Sequence, residues 1–398
     1  MIMTHRNKND IRNAIRGSMI GGAVGDALGY AVEFIGESAI FSRYGKNGIT
    51  EYDLDRKTGK AIVSDDTQMT LFTANGLLVY ETQTSICGLQ NMPRDYVAKS
   101  YQDWYITQEE PFDYIKKKRD TDHANDNSVS WLLDIPELFH KRAPGITCLN
   151  ALYMAGRVGG YGDYIKHPCN NSKGCGGVMR IAPIALNNKT DIEKLDMEAA
   201  QLAAITHGHS LGYMPASVMC HIINRIVFPD DEQKSLKEIV IEAKETTEKL
   251  FSGDKNLTAL SNLIDLAVEF SENSASDLDN IHRLGEGWVA EEALVIAIYC
   301  ALRYQDDFSR CMIASVNHKG DSDSTGAIAG NILGAWVGYD RIEEKWKTNL
   351  ELRDTILEIA DDLWSGCPIQ EKGICQDPAW ESKYIQMRSY HTKKNHQN

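Results

Sequence analysis

The sequence predicts an all-α fold in a single domain. Three observations carry this expectation. Several long segments repeat apolar residues at helical spacing, sustained strand-type alternation is scarce, and no shift in composition marks a domain boundary. In chain order, the helical patterns start at Ile11–Phe34, which opens the fold. Asp66–Tyr80 follows, with Met69, Phe72, Leu77 and Tyr80 near helical spacing. Ala199–Val227 is apolar on one side and reads as one long helix. Leu236–Phe251 and Leu257–Phe270 are amphipathic, and Trp288–Tyr304 has the composition of a fully buried helix. Ser324–Val337 and Leu352–Trp364 close the series. Short strand-like runs occur only near Ile62 and Ile181. The stretches Thr82–Pro93, Glu109–Ser128 and Ser271–Asn280 are polar and read as loops or insertions, giving insertions near 82–128 and 271–280. Residues 1–15 are expected to be an N-terminal extension, 16–366 the domain, and 367–398 a C-terminal tail whose last residues fray.

Composition narrows the function classes. The 398 residues are 42% apolar and 25% charged, as in ordinary globular proteins. A net charge of −14 disfavours binding to a nucleic-acid backbone. The opening residues lack the apolar core of a signal peptide. No run approaches the roughly 18 uncharged apolar residues of a membrane span. The nine cysteines are odd in number and none form a C-x-x-C pair, so reduced thiols in a cytoplasm are expected.

Chemistry concentrates in two oxygen-rich clusters. Asp321-Ser322-Asp323-Ser324-Thr325 stands at the start of one helical pattern, and Ser64-Asp65-Asp66-Thr67 at the start of another. A helix N-terminus needs one such residue as a cap. Paired acids with added hydroxyls exceed that need, and their mutual repulsion favours a cation between them. Carboxylate and hydroxyl oxygens suit a hard divalent ion such as Mg²⁺ or Mn²⁺. Two facing pairs can hold two metals roughly 3.5–4 Å apart. An EF-hand is disfavoured, because its loop glycine and terminal glutamate are missing.

Two glycine patterns complete the set. Gly17, Gly21, Gly25 and Gly29 recur every fourth residue, making a bare stripe on one helix. Each glycine costs about 1 kcal/mol in a helix interior, so the stripe needs a packing or functional reason. Asp26 and Glu33, seven residues apart, would share one face of that helix, either as solvent-facing acids or as acids in a buried site. Further on, Gly174, Gly176 and Gly177 form a loop beside Lys173. It is a simple turn or a cradle of exposed N–H groups for a diphosphate. It matches neither the Walker A nor the Rossmann spacing. His207 and His209 lie near a helix, where a histidine is more often structural than functional.

Six segments occur together in the order seen in ADP-ribosylglycohydrolases: "GSMIGGAVGDALGYAVEF", "SDDTQM", "GCGGVMRIAPIAL", "ITHGHSLGY", "GWVAEEALVIAIYCAL" and "GDSDSTGAIAGNILGAW". The chain resembles that family, which includes the dinitrogenase reductase-activating glycohydrolase, from about Arg16 to Trp364. The resemblance implies an all-α orthogonal helical bundle around a binuclear Mg²⁺ or Mn²⁺ centre. Such enzymes cleave the bond between ADP-ribose and its acceptor. It implies metal ligands at Ser64, Asp65, Asp66, Asp321, Asp323 and Ser324, with serine standing where many relatives have threonine. Glu33, Asp66 and Asp323 become the catalytic candidates. Gly174, Cys175, Gly176, Gly177, Met179 and His207 become the substrate-binding candidates. Cys175 replaces an asparagine of several relatives, and the aspartate that some carry before the glycine loop is absent here. The expected reaction is release of ADP-ribose from arginine on protein. Other acceptors are serine, O-acetyl-ADP-ribose and a nucleic-acid end. A non-catalytic alternative is an immunity-type protein that neutralises an ADP-ribosyltransferase toxin.

Overall fold

The structure is a computed structural model, which describes residues 7–88, 92–121, 126–158, 162–187, 191–230, 234–369 and 375–390. Among these residues the chain is helical, with only two isolated β-bridges, Ala61 to Leu350 and Gly174 to Val289. The first six helices are α1 (Lys8–Tyr30), α2 (Glu37–Tyr44), α3 (Asp65–Cys87), α4 (Pro93–Glu109), α5 (Phe112–Thr121) and α6 (Ile146–Val158). The middle six are α7 (Ala182–Ala185), α8 (Ile192–Ala204), α9 (Ser210–Val227), α10 (Leu236–Leu250), α11 (Leu257–Glu272) and α12 (Asp277–Leu284). The last six are α13 (Ala290–Arg303), α14 (Phe308–Val316), α15 (Ser322–Val337), α16 (Glu344–Lys347), α17 (Arg353–Ser365) and α18 (Pro378–Tyr384). No helix among the described residues is long and apolar enough to cross a membrane.

The centre of the molecule is the pair α1 and α15. They run antiparallel, with Gly17, Gly21, Gly25 and Gly29 facing Gly334, Gly330, Gly326 and Ser322 in turn. A Cβ on any of the four α1 glycines would lie 1.9–2.2 Å from the carbonyl oxygen opposite. No side chain fits there, so the two backbones touch directly. The fourfold spacing of glycine is thus a packing device, and it seats the C-terminal end of α1 against the N-terminal end of α15. Around this pair lies a core that includes the fully buried Trp104, Trp131, Trp346 and Trp380. Partner helices cover most of the apolar surface removed from water, which is the main stabilising term.

The structure departs from the sequence expectation at several elements. The segment 199–227 is two helices, α8 and α9, not one. The break falls at Thr206–His209, where Gly208 packs so close to the Asn170 carbonyl that a Cβ would lie 2.3 Å from it. His209 then caps α9, its Nδ1 accepting from the Leu211 N–H at 3.1 Å. The first helix ends at Tyr30, four residues before Phe34. The chain tightens there into a turn, with Val32 N–H donating to the Gly29 carbonyl at 2.8 Å. Glu33 therefore lies beyond the helix, and Asp26 and Glu33 do not share a helical face.

The strand-like runs are not strands. Ala61 makes one bridge only, and Ile181 sits in a helical conformation ahead of α7, whose first turn contains Pro183. The polar stretches also hold more helix than expected. Thr82–Cys87 continues α3, Phe112–Thr121 forms α5, and Asp277 opens α12 within the expected loop Ser271–Asn280. Polarity there does not mean exposure. Thr82, for example, is fully buried, with its hydroxyl bonded to Leu78 O and the Trp380 indole. The expected fraying at 391–398 falls outside the described residues.

Candidate functional site

The two oxygen clusters lie at the N-termini of α3 and α15. Ser64 caps α3, its hydroxyl accepting from the Asp66 N–H at 3.2 Å, and Asp321 caps α15 by accepting from the Ser324 N–H at 3.3 Å. Capping therefore occurs, but it uses only one residue of each cluster. Asp26 holds the first cluster in place. Its carboxylate accepts from the Ser64 N–H at 2.9 Å, the Thr67 N–H at 3.0 Å and the Thr67 hydroxyl. Asp26 is fully buried, so the solvent-facing alternative for it is excluded. Asp65 is tied on both sides, its N–H to Arg142 O at 3.1 Å and its carboxylate to the Gly145 N–H at 3.3 Å.

The α1–α15 contact brings these groups together with Glu33. Carboxylate oxygens of Glu33, Asp321 and Asp323 lie within 4.8 Å of one another. Asp65 and Asp66 are close enough to feel the charge of Asp323. Burial pushes the carboxyls of Asp65, Asp66 and Asp323 well above the ordinary range, and their neighbours' negative charge adds to it. Burial also raises Glu33 to about 10, reinforced by Asp323 and Asp65. Asp26 and Asp321 rise only to about 6, because hydrogen bonds to the ionised form oppose burial. Oδ2 of Asp66 and Oε2 of Glu33 are buried with no hydrogen-bond partner. A cluster of buried acids with orphaned oxygens and no buried base among them fits a divalent cation, which would supply the missing positive charge.

The glycine loop lies alongside. Cys175, in its short helical turn, donates its thiol proton to Asp321 Oδ2 at 2.7 Å, and its N–H to Trp288 O at 3.3 Å. Burial, and then the same carboxylate, keep the Cys175 thiol protonated, well above its usual range. Met179 is buried beside Ser324, whose hydroxyl points at its sulfur at 3.7 Å. His207 is buried behind the loop. A Cβ on Gly174 would lie 3.2 Å from its Nε2, and one on Gly176 would lie 2.9 Å from its Cε1 and from Cys148 Sγ. Gly177 abuts Ala203 and the Gly212 carbonyl. The loop needs its glycines because of what lies behind it. Lys173, near the loop in sequence, is paired with Glu291.

Sequence reasoning missed several contributors. Asp26 as the anchor of α3 was foreshadowed only by an acid set among glycines. Arg180 and Thr206, which back His207, carried no local signal. Phe34, Ile146 and Trp288 are large apolar side chains that remain exposed, each next in sequence to a residue of this region, and nothing in their spacing marked them.

A model of the ADP-ribosylglycohydrolase family matches residues 7–372, nearly the whole chain. The chain belongs to the ADP-ribosylglycohydrolase family. Among curated relatives, it is 29% identical over 206 residues to the ADP-ribosylhydrolase ARH3 of Mus musculus, covering 45% of this chain and 53% of that protein. The Homo sapiens ADP-ribosylhydrolase ARH3 is 28% identical, over 45% of this chain and 54% of its own length. A further relative is the ADP-ribosyl-[dinitrogen reductase] glycohydrolase of Rhodospirillum rubrum, 44% identical over 48 residues, which are 12% of this chain and 16% of that protein. The chain thus spans about half the length of the ARH3 relatives it matches. A solved structure titled as an ADP-ribosylglycohydrolase-related protein complex aligns over 90% of this chain and 99% of its own, with a TM-score of 0.58 and 21% identity. That likeness establishes the all-α fold expected for a glycohydrolase of this family.

Proposed function

We propose that this chain is a metal-dependent hydrolase that cleaves the glycosidic bond of an ADP-ribosylated substrate and releases ADP-ribose. The observation that carries the proposal is the buried carboxylate cluster, with unpartnered oxygens on Asp66 and Glu33, set beside the glycine loop. Ser64, Asp65, Asp66, Asp321, Asp323 and Ser324 would hold two cations. Their all-oxygen donor set suits Mg²⁺ first and Mn²⁺ second. Bound there, the pair supplies Lewis acidity at the ribose.

The protein's own groups do the rest. Asp26 fixes the α3 cluster through its three hydrogen bonds, so the donors are arranged before substrate arrives. Cys175 and Asp321 couple the glycine loop to the centre. Gly174, Cys175, Gly176, Gly177, Met179 and His207 form the side that receives the diphosphate and its ribose. Glu33 holds a proton readily while the cluster lacks counter-charge, because burial and Asp323 raise its carboxyl. Beside bound cations it would ionise, and its Oε2 would offer charge to a sugar with oxocarbenium character. Asp66 and Asp323 stand in the first turns of α3 and α15 and would hold the cations between the two helices.

Arginine is the preferred acceptor in this reading. A relative is named as a glycohydrolase of an ADP-ribosylated protein, dinitrogen reductase, and that likeness supports a protein-linked acceptor. The intact acidic centre favours catalysis over a purely neutralising role. Arginine-, serine- and DNA-linked ADP-ribose, each offered with Mg²⁺ and with EDTA, test the proposal. Release from the arginine linkage alone, abolished by EDTA, is expected. Release from none overturns the catalytic reading, and release from another linkage alone reassigns the acceptor.

A further inference from the structure

Arg180 is fully buried and has no carboxylate partner among the described residues. Its guanidinium stacks 4.3 Å over the Tyr101 ring and approaches the sulfurs of Met69 and Cys148. A buried cation without an anion is costly. Its strongest contact is therefore informative: Nη2 donates to Thr206 Oγ1 at 2.7 Å.

That bond has a direction. A guanidinium only donates, so Thr206 must accept from it. Cys148 points its thiol at the same oxygen, at 4.0 Å. The one hydroxyl proton of Thr206 is then free for an acceptor, and the ring Nδ1 of His207 lies 2.8 Å away. With Thr206 as the donor, Nδ1 accepts and carries no proton. Burial, and then the positive charge of Arg180, lower the His207 pKa to about 3, so the ring is neutral. A neutral ring without a proton on Nδ1 carries it on Nε2.

Nε2 has no hydrogen-bond partner among the described residues. It lies 3.2 Å from the point where a Cβ on Gly174 would sit, and Ser172 Oγ lies 3.5 Å from the same point. With no Cβ on Gly174, the loop backbone comes close to the Nε2 edge of the ring and to Ser172 Oγ.

We propose that Arg180 and Thr206 are positioning residues that lock His207 as its Nε2–H tautomer, so that the ring presents a donor beside Gly174 to an oxygen of the ligand. The ligand class is an anionic or hydroxyl oxygen carrier, and a diphosphate ester such as ADP-ribose is the instance that the proposed function supplies. This last step rests on that function; the tautomer lock does not.

The test is nitrogen-15 NMR of the full chain with labelled histidine, joined to calorimetry with ADP-ribose in Mg²⁺. The His207 signal is assigned by its loss in His207→Gln. Wild type is expected to show a neutral ring protonated on Nε2. Thr206→Ser keeps that pattern and the affinity, whereas Thr206→Val mixes the tautomers and weakens ADP-ribose about tenfold, the scale of one hydrogen bond. A wild-type ring protonated on Nδ1, or a mixture of tautomers, overturns the lock without any variant. A Thr206→Val protein that mixes tautomers yet binds like wild type overturns the donor role of Nε2. If wild type shows the Nε2–H form and no ADP-ribose binding, the lock stands and the substrate reading falls.

Discussion

Asp103 shows what burial does to a single charged group away from the candidate centre. It lies on α4 and accepts from the Val129 N–H at 2.8 Å. Burial raises its carboxyl to about 8, against the opposing pull of that amide and of Arg119. The folded protein then keeps a proton that the unfolded chain has lost, across the range between roughly pH 4 and 8. The unfolded state binds fewer protons there, so this residue's contribution to stability falls as pH rises. Asp103→Asn keeps an acceptor for Val129 and carries no charge. Thermal unfolding at pH 5 and pH 8 should show the variant gaining a few degrees over wild type at pH 8 and little at pH 5. An equal shift at both pH values would refute the raised carboxyl. The same force acts on Asp65, Asp66 and Asp323, where several acids share one buried volume and raise one another further.

Individual helices show which parts of the fold the residues announce. The glycine stripe was legible as a demand for close approach, since four costly glycines at one spacing have no other economy. Its partner was not legible, because pairing Gly25 with Gly326 depends on the path of the whole chain between them. The split between α8 and α9 was hidden for a related reason. Its cause is the Asn170 carbonyl against Gly208, a contact from a distant loop. Glu33 lies beside Asp321 and Asp323 but not on the expected element, because the tight turn after Tyr30 leaves no trace in apolar spacing. Gly25→Ala should destabilise the protein by about 2 kcal/mol or more, since overpacking alone costs about 1–3 kcal/mol. Its Cβ would meet Gly326 O at 1.9 Å, where neither backbone can yield. Gly36→Ala is the control, because nothing lies within 4 Å of its Cβ position and its φ is −64°. Urea unfolding of both variants separates the two cases, and similar stabilities would remove the zipper as the device that seats the site.

At the scale of the whole molecule, the fold brings residues from the two ends of the sequence into one pocket of charge. α1 contributes Asp26 and leads into Glu33. α3 contributes Ser64 to Asp66, and α15 contributes Asp321 to Ser324. The middle of the chain supplies the glycine loop and the histidine behind it. The carboxylates were legible because a helix cap needs one acid and the sequence provides more. The support behind them was not: Asp26, Arg180 and Thr206 act through burial and distant partners, which composition does not display. The central claim is that the two acidic clusters form one metal-dependent catalytic centre. Its most direct test is the rate of ADP-ribose release by Asp323→Ala at saturating Mg²⁺, on whichever linkage wild type cleaves, with folding checked by the unchanged helical signal. The account predicts a loss of at least about a hundredfold. A rate within about twofold of wild type, against that hundredfold expectation, would contradict it.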